Sequence, residues 1–152
     1  IKFTVNDGDA DSATPNTITV NVTAVNNAPT ASNDTASVNE DATTTVSNAS
    51  NGVIDDNDTD IESDTLVITN IAHTNGNTES VTGSTTYLNG QSIIGTYGTL
   101  TIGANGTYTY IADQDAADAL DASDEVDDVF TYTISIKNVF IIYFTNEQTD
   151  CK

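Results

Sequence analysis

The stretch that decides the fold is Gly98-Thr99-Leu100-Thr101-Ile102-Gly103-Ala104-Asn105-Gly106-Thr107-Tyr108-Thr109-Tyr110-Ile111. Apolar and polar residues alternate on both sides of a short turn, the period-two signature of half-buried strands. Asn105-Gly106 supplies the positive φ that a tight hairpin turn requires. The pattern predicts a β-hairpin whose inner face carries Leu100, Ile102, Tyr108 and Tyr110 as a large part of the core.

Outward from this hairpin, further segments read as strands. Val129 to Ser135 alternates in the same way, and Thr65 to Ile71 is the most apolar candidate before the tail. Ala36 to Val38 and Thr43 to Val46 predict short strands separated by Asn39-Glu40-Asp41. Residues 72–91 are polar and dotted with glycine, which predicts a long loop or a weak hairpin around Val81. Asp113 to Leu120 is Ala-rich with acids at its start, and predicts a two-turn helix with charge at its favourable end. At the start of the chain, Ile1 to Val5 alternates, breaks at Asn6-Asp7-Gly8-Asp9-Ala10-Asp11, and resumes with Ile18, Val20, Val22 and Ala24 on one face.

Residues 1–25 therefore read as the closing hairpin of a preceding β-module, residues 26–29 as a linker, and residues 30–135 as a second module. Pro29 biases Ala28 towards an extended conformation, as suits a linker. Phe3-Thr4-Val5-Asn6 lines up with Tyr132-Thr133-Ile134-Ser135, an internal period consistent with tandem domains. Residues 136–152 change character: Lys137 and Lys152, the single Cys151 and the apolar run Val139 to Phe144 fall here. Two readings stay open for this tail, a frameshifted or truncated gene end and an authentic closing strand that buries Phe140 and Ile142. No function is placed in it.

Composition narrows the class. The 152 residues carry 23 acids against 3 lysines, a formal charge of -20. A chain so lopsided repels nucleic-acid phosphates and anionic membrane surfaces, so neither is expected as a partner. No apolar run approaches the roughly 20 residues that span a bilayer, which predicts no membrane insertion. One cysteine cannot staple a monomer, and a small secreted domain without disulfides needs another brace, for which a metal ion is the obvious candidate.

The acidic stretch Asp55-Asp56-Asn57-Asp58-Thr59-Asp60-Ile61-Glu62-Ser63-Asp64 points to which metal. So many carboxylates repel one another unless something positive sits among them, and Ca²⁺ takes six to eight hard oxygen ligands. The competing reading is a solvated acidic turn between strands. Asp56, Asp58 and Asp60 have the alternate spacing that lets one turn aim three carboxylates inward. An EF-hand is excluded, because its glycine and closing glutamate positions would fall on Ile61 and Val67. The Asp7 loop fails likewise, with Ser12 and Ile18 in those places. Any calcium site is thus of the irregular, inter-strand kind. Its candidate ligands are Asp58, Asp60, Asp56 and Asp64, with Asn27, Asp34, Glu40 and Asp41 completing it if the junction approaches the acidic loop. The acids from Asp121 to Asp128 compete as a second ion site, but read better as a solvated rim.

Catalysis finds little support in the residues. Paired carboxylates hydrolyse glycosides only across a cleft, and no Trp exists to stack a sugar. His73, the sole histidine, stands among polar residues and is expected to be an exposed surface side chain. Cys151 has no base suggested by spacing.

Three stretches carry a family resemblance. Tyr97 to Ile102, Asn105 to Tyr110 and Val129 to Ile134 resemble the VCBS repeat of very large bacterial surface and secreted proteins, which is similar in style to bacterial cadherin-like domains. Gly52-Val53-Ile54 with Asn57-Asp58-Thr59-Asp60 and Asp64-Thr65-Leu66 resembles the acidic segment of these domains, and Asn26-Asn27-Ala28-Pro29 their junction. The resemblance covers residues 1–135 and departs at 136, where an Asp-Gly turn is expected. It implies an all-β, Ig/cadherin-like β-sandwich in tandem modules, with the one short helix near 113–120. It further implies Ca²⁺ binding and an extender role in an RTX-type adhesin or biofilm protein at the bacterial surface or outside the cell. Neighbouring repeats of the same protein would be its partners, with surface or matrix glycans as further candidates. The alternative is a carbohydrate-binding or accessory module of a secreted enzyme, with Tyr87 and Tyr97 as an exposed aromatic platform.

Overall fold

The computed structural model describes residues 1–137 apart from Ser84 and Ala122. The tail expectations concern residues 136–152, and from 138 onward they lie outside the described residues. Among the described residues nine strands form in chain order: β1 (Lys2–Phe3), β2 (Asn16–Thr17), β3 (Thr43–Val46), β4 (Leu66–His73), β5 (Thr78–Ser80), β6 (Gln91–Ile94), β7 (Thr99–Ile102), β8 (Tyr108–Ile111) and β9 (Phe130–Ile136). A single helical turn, α1 (Asp115–Asp118), lies between β8 and β9.

Two antiparallel sheets make the body, in the orders β3-β8-β7-β6 and β5-β4-β9. Their inner faces share one core, with Ile68 and Ile71 from β4 meeting Ile93, Leu100 and Ile102 from β6 and β7. This is the all-β sandwich expected, with one short helix. The β7–β8 hairpin forms with Leu100 opposite Tyr110 and Ile102 opposite Tyr108. Gly106 takes a φ of +83° at its turn, and a Cβ there would press on Ile54. Leu100 and Ile102 are buried, while Tyr108 and Tyr110 are half-buried against the same cluster.

Several expectations are corrected. β4 runs on through His73 and pairs with β5, so the stretch expected to be a long loop or a weak hairpin around Val81 begins with a hairpin that turns before Val81. The reason is a β-bulge: the register of β4 against β9 shifts between Ile68 and Asn70. An extra residue resets which side chains face inward. Leu66 and Ile68 face the core before the bulge, Ile71 and His73 after it. Strict alternation would turn His73 outward. Instead it is 5% exposed, so the expected surface histidine is a core residue.

No strand forms over Ala36 to Val38. The expected two-turn helix is one turn with only Ala117 buried, too little apolar contact to extend a costly nucleus. The half-buried strand expected over Ile18 to Ala24 does not form either. The ladder stops at Thr17, and Ile18, Val20 and Val22 stay exposed because no second layer covers them among the described residues.

Candidate functional site

Two phenols of the sandwich each reach a carboxylate, and the sites they mark differ in how well they are satisfied. The first lies where the acidic stretch meets the sandwich. Val53 is tied to the hairpin turn by its N–H on the Gly106 carbonyl at 3.1 Å. Beyond it, Asp56 and Asp58 donate back to the carbonyls of Gly52 and Ile54, folding the segment into successive turns. Asp60 Oδ1 accepts the N–H groups of Glu62 and Asp64, both at 3.0 Å, and Ser63 takes a φ of +61° to allow this.

Residues 27–34, expected to be at a module junction, do approach the acidic stretch. Thr30 and Thr59 exchange both main-chain hydrogen bonds, at 2.8 and 2.9 Å. Asn27 N–H donates to Glu62 Oε2 at 3.2 Å, and Ser32 N–H to Asp58 Oδ1 at 2.7 Å. Asp34 and Asp58 then converge on Tyr132, an inward-facing residue of β9. Its hydroxyl lies 2.9 Å from Asp34 Oδ2, 3.2 and 3.3 Å from the two Asp58 oxygens, 3.0 Å from the Ser32 carbonyl and 3.2 Å from the Val53 carbonyl. One phenolic proton serves at most one of these acceptors well at a time. Asp60 Oδ2 and Asn57 Oδ1 are buried with no hydrogen-bond partner among the described residues. Asp55, Asp58, Asp60 and Asp64 line an open depression of about 400 Å³ beside them.

Electrostatics follow this crowding of acceptors. Burial raises the Asp34 carboxyl above its ordinary value against the Tyr132 hydrogen bond, and the charges of Asp58 and Asp56 push it the same way. Burial, then Asp34 and Asp58, drive the Tyr132 phenol far up, so it stays a donor. No three His, Cys, Asp or Glu side chains among the described residues form a group able to hold a metal ion. A cation here would draw on the Asp34 and Asp58 carboxylates and the main-chain carbonyls of Ser32 and Val53. That all-oxygen donor set fits a hard cation such as Ca²⁺.

The other sequence candidates are placed as follows. Asp56 is exposed and acts on Asp34 through its charge, and Asp64 is exposed on the rim of the depression. Glu40 and Asp41 are not brought to the acidic stretch. Asp41 N–H bonds the Ala112 carbonyl, next to the Thr43–Ile111 pair, whereas the acidic stretch adjoins the opposite, Val46–Tyr108 end of the same ladder.

The second site corrects the reading of Asp128 as part of a solvated rim. Asp121, Asp124, Glu125 and Asp127 are exposed, but the Asp128 side chain is 8% exposed and accepts five hydrogen bonds. The donors are His73 Nε2 and the Tyr110 hydroxyl, both at 2.7 Å, and the N–H groups of Thr96, Tyr97 and Gly98 at 2.9, 3.1 and 3.2 Å. Burial alone would raise its pKa, yet Thr96, Tyr110, Tyr97 and His73 outweigh burial and hold it below the ordinary carboxylate value. His73 Nδ1 accepts the Asn75 N–H at 3.1 Å, which leaves Nε2 to carry the proton towards Asp128. This hub locks the β6–β7 turn to β4 and β8. The signal for it in the sequence was slight: Asp128 stands two residues before Phe130 and so shares its inward parity. Tyr87 and Tyr97, the suggested sugar platform, are half-buried, and Tyr97 carries one of the N–H groups held by Asp128.

The buried polar groups of this sandwich fasten its loops and residues 27–34 to its two sheets. The bacterial cadherin-like domain model matches residues 26–138, and the chain belongs to that family. Domains of this kind are adhesion-type modules, typically non-enzymatic and generally extracellular or at the cell surface. No curated protein and no solved structure gives a significant match. No helix among the described residues is long and apolar enough to cross a membrane.

Proposed function

We propose that this chain is an extender segment of a bacterial adhesin of the VCBS and RTX style, stiffened by Ca²⁺ at the junction of its modules and serving adhesion or biofilm formation. The observation that carries the reading is the Tyr132 hydroxyl ringed by acceptors from the junction and from the acidic stretch. Asp34 and Asp58 would hold the ion, with the carbonyls of Ser32 and Val53, while Asp60, Asp64 and Asn27 border the place. Glu40 lies too far along the sandwich to join them. When bound, Ca²⁺ supplies the positive charge that this chain's own side chains do not. The residues themselves do the coupling: Ser32 and Asp34 follow the junction, Asp58 and Asp60 belong to the module, and Tyr132 belongs to its sheet. Fastening all three restricts the swing of residues 26–29.

Isothermal titration calorimetry of the whole chain tests this. Ca²⁺ should bind with a saturable heat, Mg²⁺ far more weakly because it resists an irregular, partly dehydrated site. Asp58→Asn should remove the heat while Glu40→Gln keeps it. Equal binding by the parent chain and Asp58→Asn would place the ion elsewhere.

A further inference from the structure

Four Asn-Gly pairs occur in the chain, at Asn51-Gly52, Asn75-Gly76, Asn89-Gly90 and Asn105-Gly106. Glycine after asparagine leaves the following main-chain nitrogen sterically open to attack the side-chain amide, because no Cβ shields it. The fold restrains the four pairs very differently.

Asn105 is held most firmly. Its Oδ1 accepts the Thr107 hydroxyl at 2.7 Å and the Thr107 N–H at 3.2 Å, and buried Gly106 donates to the Gly103 carbonyl at 3.0 Å. Asn75 is fixed on both sides of its amide: Nδ2 donates to the Ile94 carbonyl at 3.1 Å and Oδ1 accepts the Asn77 N–H at 2.9 Å. Gly76 N–H is engaged by the His73 carbonyl at 3.0 Å. Asn51 has an exposed side chain, but Gly52 is buried and donates to the Ala49 carbonyl at 2.9 Å. A Cβ would collide with main chain at both Gly52, against the Gly106 carbonyl, and Gly90, against the Ile102 carbonyl, so close packing does not separate these two pairs.

Asn89 shares with Asn51 an exposed side chain that bonds no described residue, but Gly90 is only half-buried where Gly52 is buried, and its N–H makes the longest of the four glycine hydrogen bonds, 3.3 Å to the Tyr87 carbonyl. It closes a short 3-10 turn at the edge of the sandwich, ahead of β6, an edge strand. Hydrogen-bonded turns of this kind open locally at little cost.

We infer that Asn89-Gly90 is a self-modifying site, converting to aspartate and isoaspartate ahead of the other three pairs. In the step, the Gly90 nitrogen loses its proton and bonds to Asn89 Cγ. The Cγ–Nδ2 bond breaks, and the amide leaves as ammonia with that proton. The resulting succinimide takes up one water. Opening of the new N–Cγ bond gives aspartate; opening at the original main-chain carbonyl gives isoaspartate. No oxidant, reductant or enzyme is needed. Isoaspartate lengthens the main chain by one carbon next to Gln91, whose pairing with Ile102 begins the β6–β7 ladder. The modification thus adds a charge and loosens that end of the edge strand.

The test incubates the native whole chain in warm, mildly alkaline buffer, followed by chymotryptic digestion and mass spectrometry over time. Asn89 should convert about tenfold faster than Asn75 or Asn105, the margin that one or two lost hydrogen bonds supply. In urea the four rates should converge, since the hierarchy comes from the fold. Asn89→Gln should abolish the earliest product and leave the other rates unchanged. Conversion of Asn51, Asn75 or Asn105 at the rate of Asn89 in the native chain would overturn the inference, as would an unchanged hierarchy in urea.

Discussion

At the scale of single residues, Asp128 holds the most connections. Asp128→Asn turns a five-fold acceptor into a group that sets its own N–H₂ against donors. Losing a buried carboxylate's hydrogen bonds while leaving donors unsatisfied costs about 3 kcal/mol, and urea unfolding should register that loss. A pH dependence follows with a definite sign. The folded pKa of Asp128 is depressed, so its contribution is present above the unfolded value of about 4 and is lost as pH falls through the lower folded value. Asp128→Asn should flatten that acid limb. Asp34 works in the opposite sense, because its folded pKa is raised. Its preference for the protonated form stabilises the fold below the unfolded value and is lost as pH rises through the folded one. In chelator, Asp34→Asn should therefore raise the melting temperature at neutral pH and do little at pH values below both. An Asp34→Asn chain that melts lower than its parent in neutral chelator would contradict the crowding of acceptors around Tyr132.

At the scale of elements, turn chemistry and the bulge decide the outcome. Gly106→Ala puts a side chain at a φ of +83° and a Cβ 3.0 Å from the Ile54 nitrogen. It should cost upwards of about 1 kcal/mol by denaturant titration, since an incompatible φ outweighs any gain from stiffening the unfolded chain. Deleting Thr69 should do far more. Without the extra residue, either Ile68 or the Ile71 and His73 pair must face outward, and the cooperative unfolding transition should be lost. The hairpin and β9 were legible in the sequence because each alternates cleanly, and β3 because its strand-forming threonines and valine follow the Asn39-Glu40-Asp41 break. β4's end and β6 were not, because a bulge breaks the period and hides the inward parity of His73. The acidic stretch was legible as a charge problem. Asn27 and Asp34 were named among its partners, whereas the main-chain carbonyls of Ser32 and Val53 were not, because no side-chain pattern announces them. Glu40 was drawn in by its acidity alone, since sequence distance says nothing about which end of β3 it occupies.

At the scale of the molecule, a chain of formal charge -20 folds with few cations of its own, and a divalent ion at the junction would relieve the worst of that crowding. The direct test is a thermal melt of the whole chain in excess EDTA, then in Ca²⁺, then in Mg²⁺. A ligand that binds only the folded state adds about 2.7 kcal/mol at a hundredfold excess over Kd. In a domain of this size that corresponds to a rise on the order of ten degrees. The account predicts such a rise with Ca²⁺, a much smaller one with Mg²⁺, and neither in Asp58→Asn. A melting temperature indifferent to Ca²⁺ would contradict it and leave the acidic stretch as a solvated turn.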